Sequence, residues 1–201
     1  SGFNSSTMNI SGNTRIDAGS QTVTVSLKDK TNCKWADRTT TDITFTFTIN
    51  PKSLALTWGS TTSFTYDGAS HVPSVTSPIN GVGSEKVSII VGGAEINVGT
   101  YTAIASISGV TGGQAKTSNY TLTGVEKEFS ITPKAITKPT ANTTTFTYTG
   151  SSQTYTPTNF NSSTMNISGH TRTDAGSQTV TVSLKDKTNY KWSDNTTNDV
   201  T

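Results

Sequence analysis

Apolar and polar residues alternate along much of this chain. In Gln21–Leu27 the side chains of Val23, Val25 and Leu27 share one face, and Thr22, Thr24 and Ser26 share the other. Phe45, Phe47 and Ile49 repeat the pattern, as do Phe64 with Tyr66, Tyr101 with Ala103, Ala105 and Ile107, Phe129 with Ile131, and Phe146 with Tyr148. A period of two is that of a half-buried strand, because successive side chains point to opposite faces of a pleated backbone. Turn chemistry separates these runs: Ser11-Gly12, Asp67-Gly68, Gly92-Gly93, Thr149-Gly150, Asn97-Val98-Gly99 and Asp174-Ala175-Gly176. No window shows helical periodicity.

The alternation is itself repeated. Shifted by 157 positions, Phe3–Thr44 falls on Phe160–Thr201, and only seven of the pairs differ, Asn13/His170 and Cys33/Tyr190 among them. Between these copies lies a diverged third. FTFTINPK (Phe45–Lys52) returns as EFSITPK (Glu128–Lys134), VGTYTAIASI (Val98–Ile107) matches AGSQTVTVSL (Ala18–Leu27 and Ala175–Leu184), and SNYTL (Ser118–Leu122) matches TNCKW and TNYKW. A repeat of this length turns a chain into an array of like units. About seven short strands per unit, at spacings near 8 to 12 residues, predict an all-β protein of tandem immunoglobulin-like β-sandwich repeats, with a barrel as the lesser alternative.

Three segments follow: 1–52 as the C-terminal part of an incomplete repeat, 53–134 as a complete one, and 135–201 as a repeat lacking its last strand. The expected core is Val23, Val25, Leu27, Phe45, Phe47, Phe64, Tyr66, Tyr101, Phe129, Ile131, Phe146, Tyr148 and Trp192. A partial sandwich exposes an apolar face and open edges. Segment 1–52 is therefore expected to be covered by a neighbouring chain or by sequence outside this one.

Composition sharpens the picture. Thr (42), Ser (26) and Asn (15) dominate the 201 residues, which disfavours helix and suits strands and turns. Charged residues are only 14% and the formal net charge is +2, with bases scattered among acids, so nucleic acid is not an expected partner. One cysteine forms no internal disulfide. No apolar run reaches the roughly 18 residues of a membrane helix, and no membrane insertion is expected of this stretch.

YDGASH (Tyr66–His71), VGTYTA (Val98–Ala103), SNYTLTG (Ser118–Gly124) and FSITPK (Phe129–Lys134) give the middle segment its landmarks. With them it resembles the MBG/YDG-type bacterial immunoglobulin-like repeats of secreted and cell-surface proteins. The outer segments keep YxG, DAG, TNY and FTINPK but have Thr149 and Gln153 where the middle one has Asp67 and His71. The resemblance implies extracellular, tandem modules of a surface protein or adhesin. It points to no ligand.

Candidate chemistry is sparse. His71 aligns with Gln153 and His170 with Asn13, the pattern of polar loop residues more than of an acid–base pair. Cys33 shares a column with Tyr120 and Tyr190, a half-buried strand position rather than a thiolate nucleophile. Asp29, Asp37 and Asp42, with Asp186, Asp194 and Asp199, are candidates for calcium at junctions between units, but thirteen acids spread over the whole chain are few for that. Lys52 and Lys134 follow a terminal strand beside proline, where the burial and acid partner of an isopeptide bond are not expected. Trp58 is the one candidate ligand-binding residue, a sugar-stacking platform in the binding-module alternative. Trp35 and Trp192 read as core, since Leu122 replaces them in the middle segment.

The sequence therefore points to a non-catalytic, cofactor-free stalk or fibre shaft. The expected partners are neighbouring repeats or copies of the same chain. The alternative is an adhesin or carbohydrate-binding module that meets a host or environmental glycan or protein through exposed aromatics.

Overall fold

The structure, a computed structural model, describes residues 2–201 and is essentially all-β. In chain order the strands begin with β1 (Met8–Ser11), β2 (Gly19–Leu27), β3 (Ile43–Ile49), β4 (Lys52–Ala55), β5 (Ser63–Thr65), β6 (Ile79–Asn80), β7 (Lys86–Gly92) and β8 (Gly99–Thr111). They continue with β9 (Tyr120–Thr123), β10 (Glu126–Thr132), β11 (Lys134–Ile136), β12 (Gln153–Thr154), β13 (Met165–Ser168), β14 (Thr171–Arg172), β15 (Thr181–Leu184) and β16 (Tyr190–Trp192). The one helical element among the described residues is a single 3₁₀ turn at Thr117–Asn119.

The chain divides into two compact units. The first takes the residues through Trp58, Val75–Val91 and Ala105–Val125, and the second takes Gly59–Ser74, Gly92–Ile104 and Glu126–Thr201. Each unit thus draws on the 53–134 segment as well as on one of the outer segments.

In the first unit β1, β2 and β3 form an antiparallel meander, with Met8 opposite Leu27 and Gln21 opposite Phe47. Only Asn50 and Pro51 separate β3 from β4. Proline cannot donate to a ladder and fixes one backbone angle. The strand therefore stops there, and the next begins at Lys52, where β4 runs parallel to β9 with Leu54 opposite Leu122. The core of this unit is Leu54, Val87, Ile89, Ala105 and Tyr120, with Leu56, Trp58, Val75 and Leu122 packed around it.

The second unit repeats the device. Pro133 alone separates β10 from β11, and β11 runs parallel to β16 with Ile136 opposite Trp192. Here β10 lies between β5, its parallel neighbour, and the first half of β8, its antiparallel one, so Phe129 sits opposite Tyr101 and Ile131 opposite both Phe64 and Gly99. The rings of Phe64 and Phe129 meet edge to face at 6.0 Å, a geometry favoured by the aromatic quadrupole. A second cluster holds Met165, Val182, Leu184 and Trp192 under Ile136, Phe160 and Tyr190.

Of the residues expected in the core, Leu27, Phe129, Ile131 and Trp192 are buried, and Val23, Val25, Phe47, Phe64, Tyr66 and Tyr101 are half-buried. Three are corrections: Phe45 is 59% exposed, Phe146 50% and Tyr148 63%. Alternation places a side chain on a face, but something must then cover that face. Phe45 lies toward the start of β3, an edge strand of its meander, near Ile43, which is also exposed. The position corresponding to Phe45 eighty-two residues later is Lys127, which shows that the column does not demand an apolar group. Phe64 is covered because β10 runs beside it. No strand runs beside Thr144–Tyr148, and Phe146 and Tyr148 line an open cleft of about 600 Å³ instead.

In segment 1–52, Phe3, Ile16, Ile43 and Phe45 are exposed, and none of the described residues covers them. The segment is not isolated, however, because the loop before β2 is bonded to the turn before β9 in the same unit.

Candidate functional site

That contact is made by a pair of hydrogen bonds at one asparagine. The loop Asp17-Ala18-Gly19 presents the Ala18 N–H, which donates to Oδ1 of Asn119 at 2.8 Å, and the Asn119 amide nitrogen donates back to Oδ1 of Asp17 at 3.0 Å. One asparagine thus satisfies a backbone donor and a side-chain acceptor of a loop 101 residues away. Lys116, three residues before Asn119, adds an ion pair with the Asp17 carboxylate. Together the Lys116 ammonium and the Asn119 amide hold the Asp17 carboxyl below its ordinary pKa.

In the second unit the same arrangement recurs with different residues. The Val98 N–H donates to Oδ1 of Asn189 at 2.8 Å, and the Asn189 amide donates to Oδ1 of Asn97 at 3.0 Å. Asn189 is 6% exposed. Its amide also donates to Oδ2 of Asp186 at 2.7 Å, and Asp186 accepts the backbone N–H groups of Thr188 and Asn189. These donors lower the Asp186 pKa, the Asn189 backbone N–H most of all.

Each receiving loop is shaped by a clip on its carbonyls. Arg15 donates from Nε to the Asp17 carbonyl and from Nη2 to the Ala18 carbonyl, both at 2.7 Å. In the second unit the Tyr101 hydroxyl does the corresponding work on the Asn97 carbonyl at 2.9 Å. Glycine closes the loop for a steric reason. A Cβ on Gly19, whose φ is +124°, would lie 2.5 Å from the Arg15 guanidinium, and one on Gly99 would lie 2.7 Å from the Tyr101 ring.

Both halves of this junction occur once more, unmated. Arg172 clips the carbonyls of Asp174 and Ala175 at 2.7 and 3.1 Å, yet Asp174, Ala175 and Gly176 are exposed. Asn32 is held by Asp29 through its backbone N–H at 2.9 Å and its side-chain amide at 2.7 Å, much as Asn189 is held by Asp186, and it too is exposed.

A search of family models, of curated proteins and of solved structures finds no match to this chain.

The residues singled out from sequence take other places. Trp58 is half-buried at the margin of the first core, and its indole N–H donates to the Gly124 carbonyl at 2.8 Å. Its ring packs against that core. His71 stacks on Phe64 with ring centroids 4.7 Å apart, and its Nε2 lies 2.9 Å from Oδ1 of Asp67. Asp67 also accepts the Ala69 N–H, so the YDGASH run is a turn tied by its own carboxylate, whose pKa these bonds lower. Cys33 is free and half-buried. Lys52 and Lys134 are exposed.

The aspartates considered for calcium are engaged separately. Asp29 and Asp186 hold asparagines, Asp37 caps a turn at Thr39, and Asp42, Asp194 and Asp199 pair with Lys30, Lys138 and Lys187. Among the described residues no three potential metal ligands cluster. Nor is any helix among them long and apolar enough to cross a membrane.

Sequence reasoning singled out neither Asn119 nor Asn189 as functional. Their signal was present in the recurring SNY, TNC and TNY landmarks and in the recurring NVG and DAG loops. What the sequence did not display was that one set binds the other.

Proposed function

We propose that this chain is a non-catalytic structural region, a semi-rigid stalk or fibre shaft built of tandem immunoglobulin-like repeats of the MBG/YDG type, in a bacterial surface or secreted protein. The single observation carrying this reading is the duplicated junction, in which Asn119 and Asn189 make the same pair of bonds to two different loops. A bond pattern met twice at corresponding sequence positions is what a repeating array requires, since in such arrays each unit contacts only its neighbours. The connectors agree with it. With two residues between β3 and β4 and one between β10 and β11, each including a proline, little backbone freedom remains at either joint.

Small-angle scattering on the 201-residue chain tests the reading. An elongated particle, whose scattering profile shows added flexibility when Asn119 and Asn189 are both replaced by alanine, is the expected result, because the joints then loosen. A compact globule, or a scattering profile unchanged by the double replacement, overturns it.

A further inference from the structure

Among the differences between the two junctions, one pair of positions is complementary. In the first unit the loop begins with Asp17, and the residue three before the docking asparagine is Lys116. In the second unit the loop begins with Asn97, and the residue three before the asparagine is Asp186. Both Asn97 Oδ1 and Asp186 Oδ2 lie within 3.0 Å of the same amide nitrogen of Asn189. An aspartate at 97 would bring a second carboxylate to that nitrogen, and like charges so placed repel. Conversely, Lys116 facing an asparagine loop would have no carboxylate to pair with.

We propose that these two positions form a docking code: a loop beginning with Asp receives a turn of the Lys-x-x-Asn kind, and a loop beginning with Asn receives a turn of the Asp-x-x-Asn kind. The inference rests on the reading of the chain as an array, and deepens it by naming which segment follows which. The outer segments each carry an Asp loop (Asp17, Asp174) and an Asp turn (Asp29, Asp186), while the middle segment carries an Asn loop and a Lys turn. Outer joined to outer would set Asp174 against Asp29. Alternation of the two kinds keeps every junction matched. The exposed Asp174-Ala175-Gly176 loop, already clipped by Arg172, is accordingly a docking surface for a polypeptide turn with lysine three residues before its asparagine, as in Lys116–Asn119.

The code can be read in the intact chain by amide hydrogen exchange at Ala18, with Val98 as the reference inside the same molecule. Lys116→Asp sets two carboxylates at the first junction, and Ala18 exchange is expected to rise about five- to tenfold, the scale of an exposed ion pair lost and reversed. Adding Asp17→Asn recreates the combination found at Asn97 and Asp186, and is expected to return Ala18 to within about twofold of its starting rate. Val98 stays unchanged in both variants. Failure of Lys116→Asp to speed Ala18 exchange, or failure of Asp17→Asn to restore it while Val98 remains protected, overturns the code and leaves the array reading standing. Rapid exchange of Ala18 and Val98 in the unaltered chain removes the junctions themselves, and the array reading and the code fall together.

Discussion

Tyr120 donates its phenolic hydrogen to the carboxylate of Glu85, and both residues are buried in the first unit. The pair is fully engaged. Glu85 also accepts the Gln114 N–H at 2.8 Å, and the Tyr120 oxygen accepts the Val82 N–H at 2.7 Å. One phenol thus ties together β9, the Gly81–Glu85 turn and, through Glu85, the loop after β8. Gly113 packs so closely on Glu85 that a Cβ there would lie 2.6 Å from Oε1.

The pair makes stability depend on pH at both extremes. The Tyr120 hydroxyl and the Gln114 N–H stabilise the charged form of Glu85 and hold its pKa below the ordinary 4.5. Its contribution is present above that ordinary value and is lost as pH falls through the depressed folded one. Burial, and then the Glu85 carboxylate, push Tyr120 above the ordinary 10.0. Its contribution is present below 10 and is lost as pH rises through the raised folded value. Tyr120→Phe is expected to cost about 1–3 kcal/mol at neutral pH, because it leaves the Val82 N–H and a carboxylate oxygen without their partner. Urea unfolding from pH 3 to 11 checks both claims, and an unchanged midpoint in the variant contradicts them.

Burial, not apolar character, sets the worth of the aromatic residues on the strands. Phe129 is 2% exposed and lies against Phe64 and Tyr101, so Phe129→Ala is expected to cost about 3–5 kcal/mol. Phe45→Ala, on an uncovered strand end, is expected to stay within about 0.5 kcal/mol of the parent. Denaturant unfolding of the two variants side by side provides the comparison. Similar losses would mean that Phe45 is covered in solution.

These two phenylalanines also mark how far the sequence could be read. Period-two alternation made the strands legible and placed Phe129, Ile131 and Leu27 on inward faces. It could not distinguish Phe129 from Phe45 or Phe146, because a covering strand is a tertiary fact that the alternation of a single strand does not encode. Trp58 was legible as an aromatic of note, but its bond to Gly124 joins positions 66 residues apart. The junction asparagines were visible only as landmarks, for their partners lie 101 and 91 residues away.

Glycine at the start of β2 is required by the clip that shapes its loop. Gly19→Ala puts a side chain into a left-handed region of φ and against the Arg15 guanidinium. The expected cost is about 1–3 kcal/mol, with faster exchange at the neighbouring Ala18 amide. Gly68→Ala is the contrast. Its φ is +83°, so it is also strained, but nothing lies within 4 Å of the added carbon and no junction adjoins it. Gly68→Ala should lower the melting temperature without altering Ala18 exchange, whereas Gly19→Ala should change both.

Asn189 is the most buried of the junction groups, and its removal separates docking from folding. Asn189→Ala deletes the acceptor of the Val98 N–H and the donor to Asn97 and Asp186 together. Its neighbours in sequence, Tyr190 and Trp192, remain paired with β11 and packed in the second cluster, so the core of that unit should persist. The Val98 amide then loses its partner, at an expected cost of about 1–3 kcal/mol to closure of that junction. Hydrogen exchange at Val98 is expected to accelerate by about fivefold or more, since about 1.4 kcal/mol corresponds to a factor of ten. The β15 amides around Val182 should exchange as before. Asn189→Asp separates the two roles, because it keeps an oxygen for Val98 but brings a negative charge next to Asp186 and loses the amide donor. If Val98 exchange rises in Asn189→Asp as much as in Asn189→Ala, the amide donor and the charge balance at Asp186 govern the junction. A rise only in Asn189→Ala assigns its strength to the Val98 bond alone.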